Sequence, residues 1–244
     1  MKRCVREFES IYGRSNNVRR FVNYLKAGQS WDASGILLLE NYYLPNSQTW
    51  IPCLVVFGQN KKKDFVYEEA GGEKGQHEKP WITASRELKE ESFNLFRLNK
   101  HKMKHCPFVQ VEGYVCYSVF IKCKKPILSK YYYQNKSLIN KLHKQNHNVP
   151  FEWRETKNMT RIPLSNFMNS KFEPKSILKQ KGNIYVKDVY NKLIPLSTRC
   201  KKCILKSIKQ KSILKAPTFT LTFEPHFHYH NNAYYLEDTK TYFN

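Results

Sequence analysis

The chain has 244 residues, 42 lysines and arginines against 20 aspartates and glutamates, and a formal charge of +22. That length suits one full α/β core with a smaller appendage, and no apolar run approaches the roughly eighteen residues needed to span a bilayer. The N-terminus, Met-Lys-Arg-Cys-Val-Arg-Glu-Phe-Glu, lacks the apolar stretch of a secretory signal. Seven cysteines at irregular spacings do not form a disulfide framework, so a reducing, cytoplasmic setting is expected. The charge predicts an electropositive surface that binds polyanions, RNA or a highly phosphorylated small molecule. Plentiful Lys, Asn, Tyr and Ile are also what an A/T-rich coding sequence produces regardless of function.

Residues 1–30 place Phe21, Val22, Tyr24 and Leu25 at helical spacing, which predicts a short N-terminal helix and a turn at Gly28. Its arginines, Arg3, Arg6, Arg14, Arg19 and Arg20, read as a solvated face. From Ser34 the pattern becomes that of strands. Apolar runs at 35–40 and 50–58 are separated by Asn46-Ser47-Gln48, and a polar loop at 60–64 leads to a short strand at 65–67 and the glycine pair Gly71 and Gly72. A helix is predicted from Pro80, whose missing N–H costs nothing at a first helical position. Trp81, Ala84, Leu88 and Leu95 form its apolar stripe. Asn tolerates the left-handed end of a helix, so this one is expected to run to Asn94. Strands follow at 108–111 and 114–123, then a segment at 126–148 that reads as a helix or a lid-like insertion. A strand at 156–164 and a short helix at 165–168 come next. Beyond 170, 183–189 and 192–196 read as a hairpin around Tyr190-Asn191, and 197–209 as a basic helix. The pentapeptide Lys-Ser-Ile-Leu-Lys, at 175 and again at 211, is too short to be a structural repeat.

The chemistry concentrates between Gly71 and Glu91. Glu87, Glu90 and Glu91 are related by i+3 and i+4 steps, so these carboxylates crowd one edge of the helix and repel one another. Arg86 reaches Glu90 at i+4 but does not neutralise the group. In so basic a chain this concentration points to a divalent cation on oxygen ligands, Mg²⁺ or Mn²⁺, which keep waters and bind substrate phosphates. A solvated, charged helix face is the competing reading. Gly71 and Gly72 would let the backbone turn sharply and offer the Gly71 carbonyl as a further ligand.

The stretch resembles the Nudix hydrolase box: Gly, five residues, Glu, seven residues, Arg-Glu-apolar, one residue, Glu-Glu. Gly72, Glu78, Arg86, Glu87, Leu88, Glu90 and Glu91 meet it, in the strand, glycine loop and helix context that the motif requires. Where a glycine and an apolar residue would close the box, this chain has Phe93 and Asn94. The resemblance covers about 34–170 and implies an α/β/α sandwich with a mixed sheet, preceded by a helical segment at 1–33. Residues 171–244 are then a basic C-terminal extension packed on or beside that domain. It further implies hydrolysis of a diphosphate linkage. Glu90 and Glu91 would be the principal metal ligands, Glu87 a ligand or general base, and the Gly71 carbonyl an extra ligand. Arg86 would orient the carboxylates, and Gly72 and Glu78 would be structural. Many relatives use a further acid from a late loop. Glu152 and Glu155 are the candidates, Glu155 first, with a surface pair balancing Arg154 as the alternative.

Substrate identity does not reside in the box. Charge and aromatics leave 5′-capped RNA, diphosphoinositol polyphosphates and nucleoside diphosphate derivatives as substrate classes. Trp31, Trp50, Trp153, Tyr131, Tyr132 and Tyr133 could stack on a base or serve as core residues. The basic insertions at 126–148 and 171–216 exceed a minimal Nudix domain. They make the chain look like virus-encoded or eukaryotic decapping members, which release m7GDP from capped mRNA. A non-catalytic RNA-binding protein on the same scaffold is the alternative of another class, and the complete Arg-Glu-x-x-Glu-Glu argues against it. Cys200 and Cys203 form a Cys-x-x-Cys pair with no second pair or histidine at zinc-finger spacing, and read as packing residues of a helix. His226, His228 and His230 would share one face of a strand, which reads as an exposed sheet face rather than a metal site.

Overall fold

The structure is a computed structural model that describes residues 30–61, 64–122, 128–145, 149, 151–168, 178–180, 183–220, 227–230, 233–236 and 242–243. The expected N-terminal helix and its arginines lie outside the described residues, as does His226. Strands β1 (Ala33–Leu44) and β2 (Thr49–Lys61) form a long antiparallel pair, followed by β3 (Asp64–Glu68) and β4 (Ala70–Glu73). Helices α1 (Pro80–Glu91) and α2 (Lys100–Met103) lead to β5 (Phe108–Val111) and β6 (Tyr114–Lys122). The insertion contains helix α3 (Leu128–Lys144); after it the one-turn α4 (Glu152–Glu155) runs directly into β7 (Thr156–Pro163) and the short α5 (Ser165–Met168). Strands β8 (Leu178–Gln180), β9 (Asn183–Lys187) and β10 (Leu193–Leu196), helix α6 (Thr198–Lys209) and strand β11 (Thr218–Thr220) follow. The fold is therefore mixed α/β.

These strands make one mixed sheet in the order β11-β6-β1-β2-β3-β10-β9-β8, with β4 also paired to β1, β5 to β6 and β7 to β2. The β1–β6, β6–β11 and β3–β10 pairs are parallel. The C-terminal extension thus supplies strands to both ends of the main sheet, and the predicted hairpin is β9–β10. Its turn is tied by Asp188 Oδ1, which accepts from the Tyr190 and Lys192 N–H groups at 2.9 Å each. Strands β12 (Phe227–His230), β13 (Ala233–Leu236) and β14 (Tyr242–Phe243) form a second, small sheet, so His228 and His230 do lie on a strand.

The central strands are apolar at consecutive positions because both faces of the sheet are covered. Ile36, Leu38, Val55 and Phe57 face one core with Trp81 and Leu88 of α1, Tyr132 and Ile139 of α3 and Trp153 of α4. Leu37, Leu39, Leu54 and Val56 face the other, with Cys200, Cys203 and Ile204 of α6. Arg161 of β7 makes a buried ion pair with Glu40 of β1 across β2, each side chain 3% exposed, and stacks 4.8 Å from the Tyr42 ring. No helix among the described residues is long and apolar enough to cross a membrane.

The box helix departs from expectation at its end. It stops at Glu91 rather than running to Asn94, and both Phe93 (φ 50°) and Asn94 (φ 62°) are left-handed. The Asn94 N–H reaches Lys89 O at 2.7 Å and the Phe93 N–H reaches Glu90 O at 3.1 Å, a Schellman ending with Phe93 at the position glycine normally takes. A left-handed non-glycine residue costs about 1–2 kcal/mol, which burial of a phenyl ring, worth roughly 1.5–3 kcal/mol, offsets. The insertion supplies the partner: the Phe93 ring lies 5.1 Å from that of Tyr132, and Asn135 Nδ2 donates to Phe93 O at 2.9 Å.

Candidate functional site

Strand β4 and helix α1 build the site between them. Gly71 and Gly72 lie in β4, paired with Gly35 and Ser34 of β1, and not in a sharp turn as expected. Their use is close approach. A Cβ on Gly72 would stand 2.4 Å from the Glu87 carboxyl carbon, and one on Gly71 would stand 1.9 Å from the Tyr114 hydroxyl. With no side chain in the way, the helix lowers its carboxylates onto the strand.

Glu91 goes deepest. Its Oε1 accepts from Gln59 Nε2 at 2.7 Å and from the Gly71 N–H at 3.3 Å, while its Oε2 is buried without a partner. Burial raises the Glu91 carboxyl well above its ordinary range, against the Gly71 bond and with the fields of Glu87 and Glu68 adding to the rise. Burial also pushes Glu90 up to about 7, opposed by Arg86 and reinforced by Glu87. Glu87 is raised for the same reason, with Arg86 opposing and Glu155 adding. Gln59 carries no local sequence signal for this role. It reaches Glu91 from a register shift between Gly58 and Gln59 where β2 pairs with β7, an irregularity set by the partner strand.

Arg86 holds the group together. It donates to Glu78 from Nε to Oε1 at 3.0 Å and from Nη2 to Oε2 at 3.1 Å, to Glu87 Oε1 at 2.6 Å, to Glu90 Oε2 at 3.0 Å and to Glu73 O at 3.0 Å. Glu78 also accepts from Thr83 Oγ1 at 2.7 Å and the Gly75 N–H at 3.0 Å, and the Arg86 bonds first, then these two, hold its pKa low despite partial burial. Arg86 carries one positive charge and bonds Glu78, Glu87 and Glu90, leaving Glu91 to Gln59 and Gly71. Hard oxygen donors and an orphaned Glu91 oxygen are what a divalent cation such as Mg²⁺ or Mn²⁺ would use, although among the described residues the only three acids or thiols whose ligand atoms converge within 4.8 Å are Glu69, Cys116 and Cys203. Glu87, Glu90, Glu91 and the Gly71 carbonyl are the residues that could hold it.

Glu152 and Glu155 occupy α4, which packs against α1. Both are exposed, and their fields reach Glu90 and Glu87 respectively. Of the aromatic candidates, Trp31, Trp153 and Tyr132 are core residues, whereas Trp50, Tyr131 and Tyr133 are exposed. Tyr133 lines an open groove of about 500 Å³ along α3 with Lys136, Ser137, Asn140, Lys141 and Lys144. The helix that carries this groove borders α4 and meets the end of α1 through Asn135. Cys200 and Cys203 are buried on α6. Compared with models of known protein families and with curated proteins, the chain matches none.

Proposed function

We propose that the chain is a divalent-metal-dependent hydrolase of Nudix type that cleaves a diphosphate linkage, with 5′-capped RNA as its substrate. The observation that carries this reading is the partnerless, buried Glu91 Oε2 beside Glu87 and Glu90, an acidic cluster in a chain with charge +22. Glu87, Glu90, Glu91 and the Gly71 carbonyl would hold Mg²⁺ or Mn²⁺, which would supply neutralisation of diphosphate oxygens and acidification of the attacking water.

The protein's own groups do the rest. Arg86 keeps Glu87 and Glu90 converged although they repel. Glu78 is committed to Arg86, Thr83 and Gly75, so it takes no proton in the reaction. Glu155, exposed and beside Glu87, is the base: it accepts a proton from the water that attacks phosphorus and returns it to solvent. The bridging P–O bond breaks, and m7GDP leaves a 5′-monophosphorylated RNA. Lys141 and Lys144 hold phosphates of the RNA body, and Tyr133 offers a stacking face.

The test is hydrolysis of cap-labelled RNA in Mg²⁺ and in Mn²⁺, in parallel with a diphosphoinositol polyphosphate and a nucleotide panel. Release of m7GDP, reduced roughly 10²–10³-fold by Glu91→Gln, is expected. Activity on the small substrates alone refutes RNA as the substrate, and full activity of Glu91→Gln refutes the metal site. Silence on all substrates with RNA binding intact replaces the enzyme by a binding protein.

A further inference from the structure

We propose that Glu69, Cys116 and Cys203, with Cys200 as fourth ligand, form a structural zinc site distinct from the carboxylate site. The Cys-x-x-Cys pair lacks a partner in sequence, but the fold brings one. Ser197 Oγ caps α6 by accepting from the Cys200 N–H at 3.1 Å, which starts the helix so that Cys200 and Cys203, three residues apart, face the same core. Cys116 of β6 faces that core too, and Glu69 joins β3 to β4 directly beneath it. One ligand atom each from Glu69, Cys116 and Cys203 lies within 4.8 Å of the others, and all three residues are buried. Tetrahedral zinc with sulfur at about 2.3 Å needs ligand separations of roughly 3.8 Å, so a contraction of at most about 1 Å closes the site. Cys200 lies outside that group of three, but its thiol hydrogen-bonds the Glu69 carboxylate, which sets it beside the other ligands.

The second observation is Glu69 itself. Its Oε1 accepts from Arg199 Nε at 2.9 Å, but its Oε2 is buried without a partner in a side chain that is 0% exposed. Thiols can offer such an oxygen only weak donors. A cation at the thiols satisfies it. Arg199 orients the carboxylate from behind, and it is shared with Glu68 at 3.2 Å and stacks 4.4 Å from the Tyr114 ring. Thiolates select zinc over the hard cations that suit Glu87, Glu90 and Glu91, and binding releases the thiol protons. The ion would tie α6, β6 and the β3–β4 junction together, two residues ahead of Gly71.

The test uses the full chain, prepared with zinc and reductant and gel-filtered, with its metal measured by mass spectrometry. About one zinc per chain is expected, retained in Glu90→Gln and lost in Cys203→Ser and Cys116→Ser. Cobalt replacement should give thiolate-to-metal charge-transfer absorption. Because the serine variants can misfold, alkylation of the wild type is the second readout: a chelator should speed labelling of Cys116, Cys200 and Cys203 at least about tenfold. The proposal is overturned by a reduced wild type that takes up no zinc, by labelling rates indifferent to chelator, or by a disulfide among these cysteines. Zinc lost in Glu90→Gln but kept in Cys203→Ser would also overturn it, by placing the ion at the carboxylates.

Discussion

Glu90 offers a direct measure of the conflict between charge and burial at the site. Its carboxyl, ordinarily at 4.5, is pushed up to about 7 without metal, and its side chain is only 15% exposed. A folded-state pKa above the unfolded one means stability that is fully present below about 4.5 and is lost as pH rises through about 7. At roughly 1.4 kcal/mol per pH unit, that displacement gives a ceiling of about 3 kcal/mol. Glu90→Gln keeps an oxygen for Arg86 and removes the titration. In chelator the variant should match the wild type near pH 4.5 and exceed it at about pH 8 by up to about 3 kcal/mol. For a chain of this size that is roughly 6–12 °C in Tm. Thermal unfolding followed by circular dichroism from about pH 5 to about pH 8.5 reads the difference, and Mg²⁺ or Mn²⁺ should raise the wild type far more than the variant. Equal pH slopes, or a metal-free variant less stable at pH 8, would refute the reasoning.

Gly72→Ala puts a methyl group 2.4 Å from the Glu87 carboxyl carbon, so hydrolysis should fall about 10²-fold while circular dichroism stays unchanged. Phe93→Gly relieves the left-handed strain but removes the ring packed on Tyr132; urea denaturation should show a net loss of about 2–3 kcal/mol, and a gain in stability would show that the strain dominates. Arg161→Met strands Glu40 in the core and should cost about 3–5 kcal/mol in the same assay. Lys141→Glu with Lys144→Glu should weaken RNA binding across sequences and flatten its salt dependence by about one unit per lost phosphate contact, leaving hydrolysis of small substrates unchanged.

What could be read from the sequence was local. The Pro80 start, the Trp81, Ala84 and Leu88 stripe and the hairpin around Asn191 follow from spacing and backbone chemistry within a few residues, and the structure has each of them. The grouping of Glu87, Glu90 and Glu91 is likewise a matter of helical spacing. The errors lie where distant segments decide. Gly71 and Gly72 suggested a turn, but β1 claims them as a strand, and their lack of side chains serves Glu87 and Tyr114 instead. The helix end depended on Tyr132 and Asn135, some forty residues away. Gln59 reaches Glu91 through an irregularity that only the pairing with β7 creates. Cys200 and Cys203 are packing residues of their helix, as their spacing suggested, but that Cys116 and Glu69 lie beside Cys203 could not be read locally, because they are more than eighty residues away in sequence.

The placement of β10 and β11 bears on how the chain can be made and cut. β10 closes the outer side of β3, and β11 closes the C-terminal half of β6, so both segments wait for residues synthesised long after them. During synthesis the nascent sheet carries two open hydrogen-bonding borders, the kind on which chains pair with one another, that of β3 until residue 196 has emerged and that of β6 until residue 220 has. A chain stopped after residue 170 keeps every carboxylate of the candidate site and leaves those borders permanently bare. Such a fragment should be recovered as aggregate, with solubility restored when the rest of the chain is supplied.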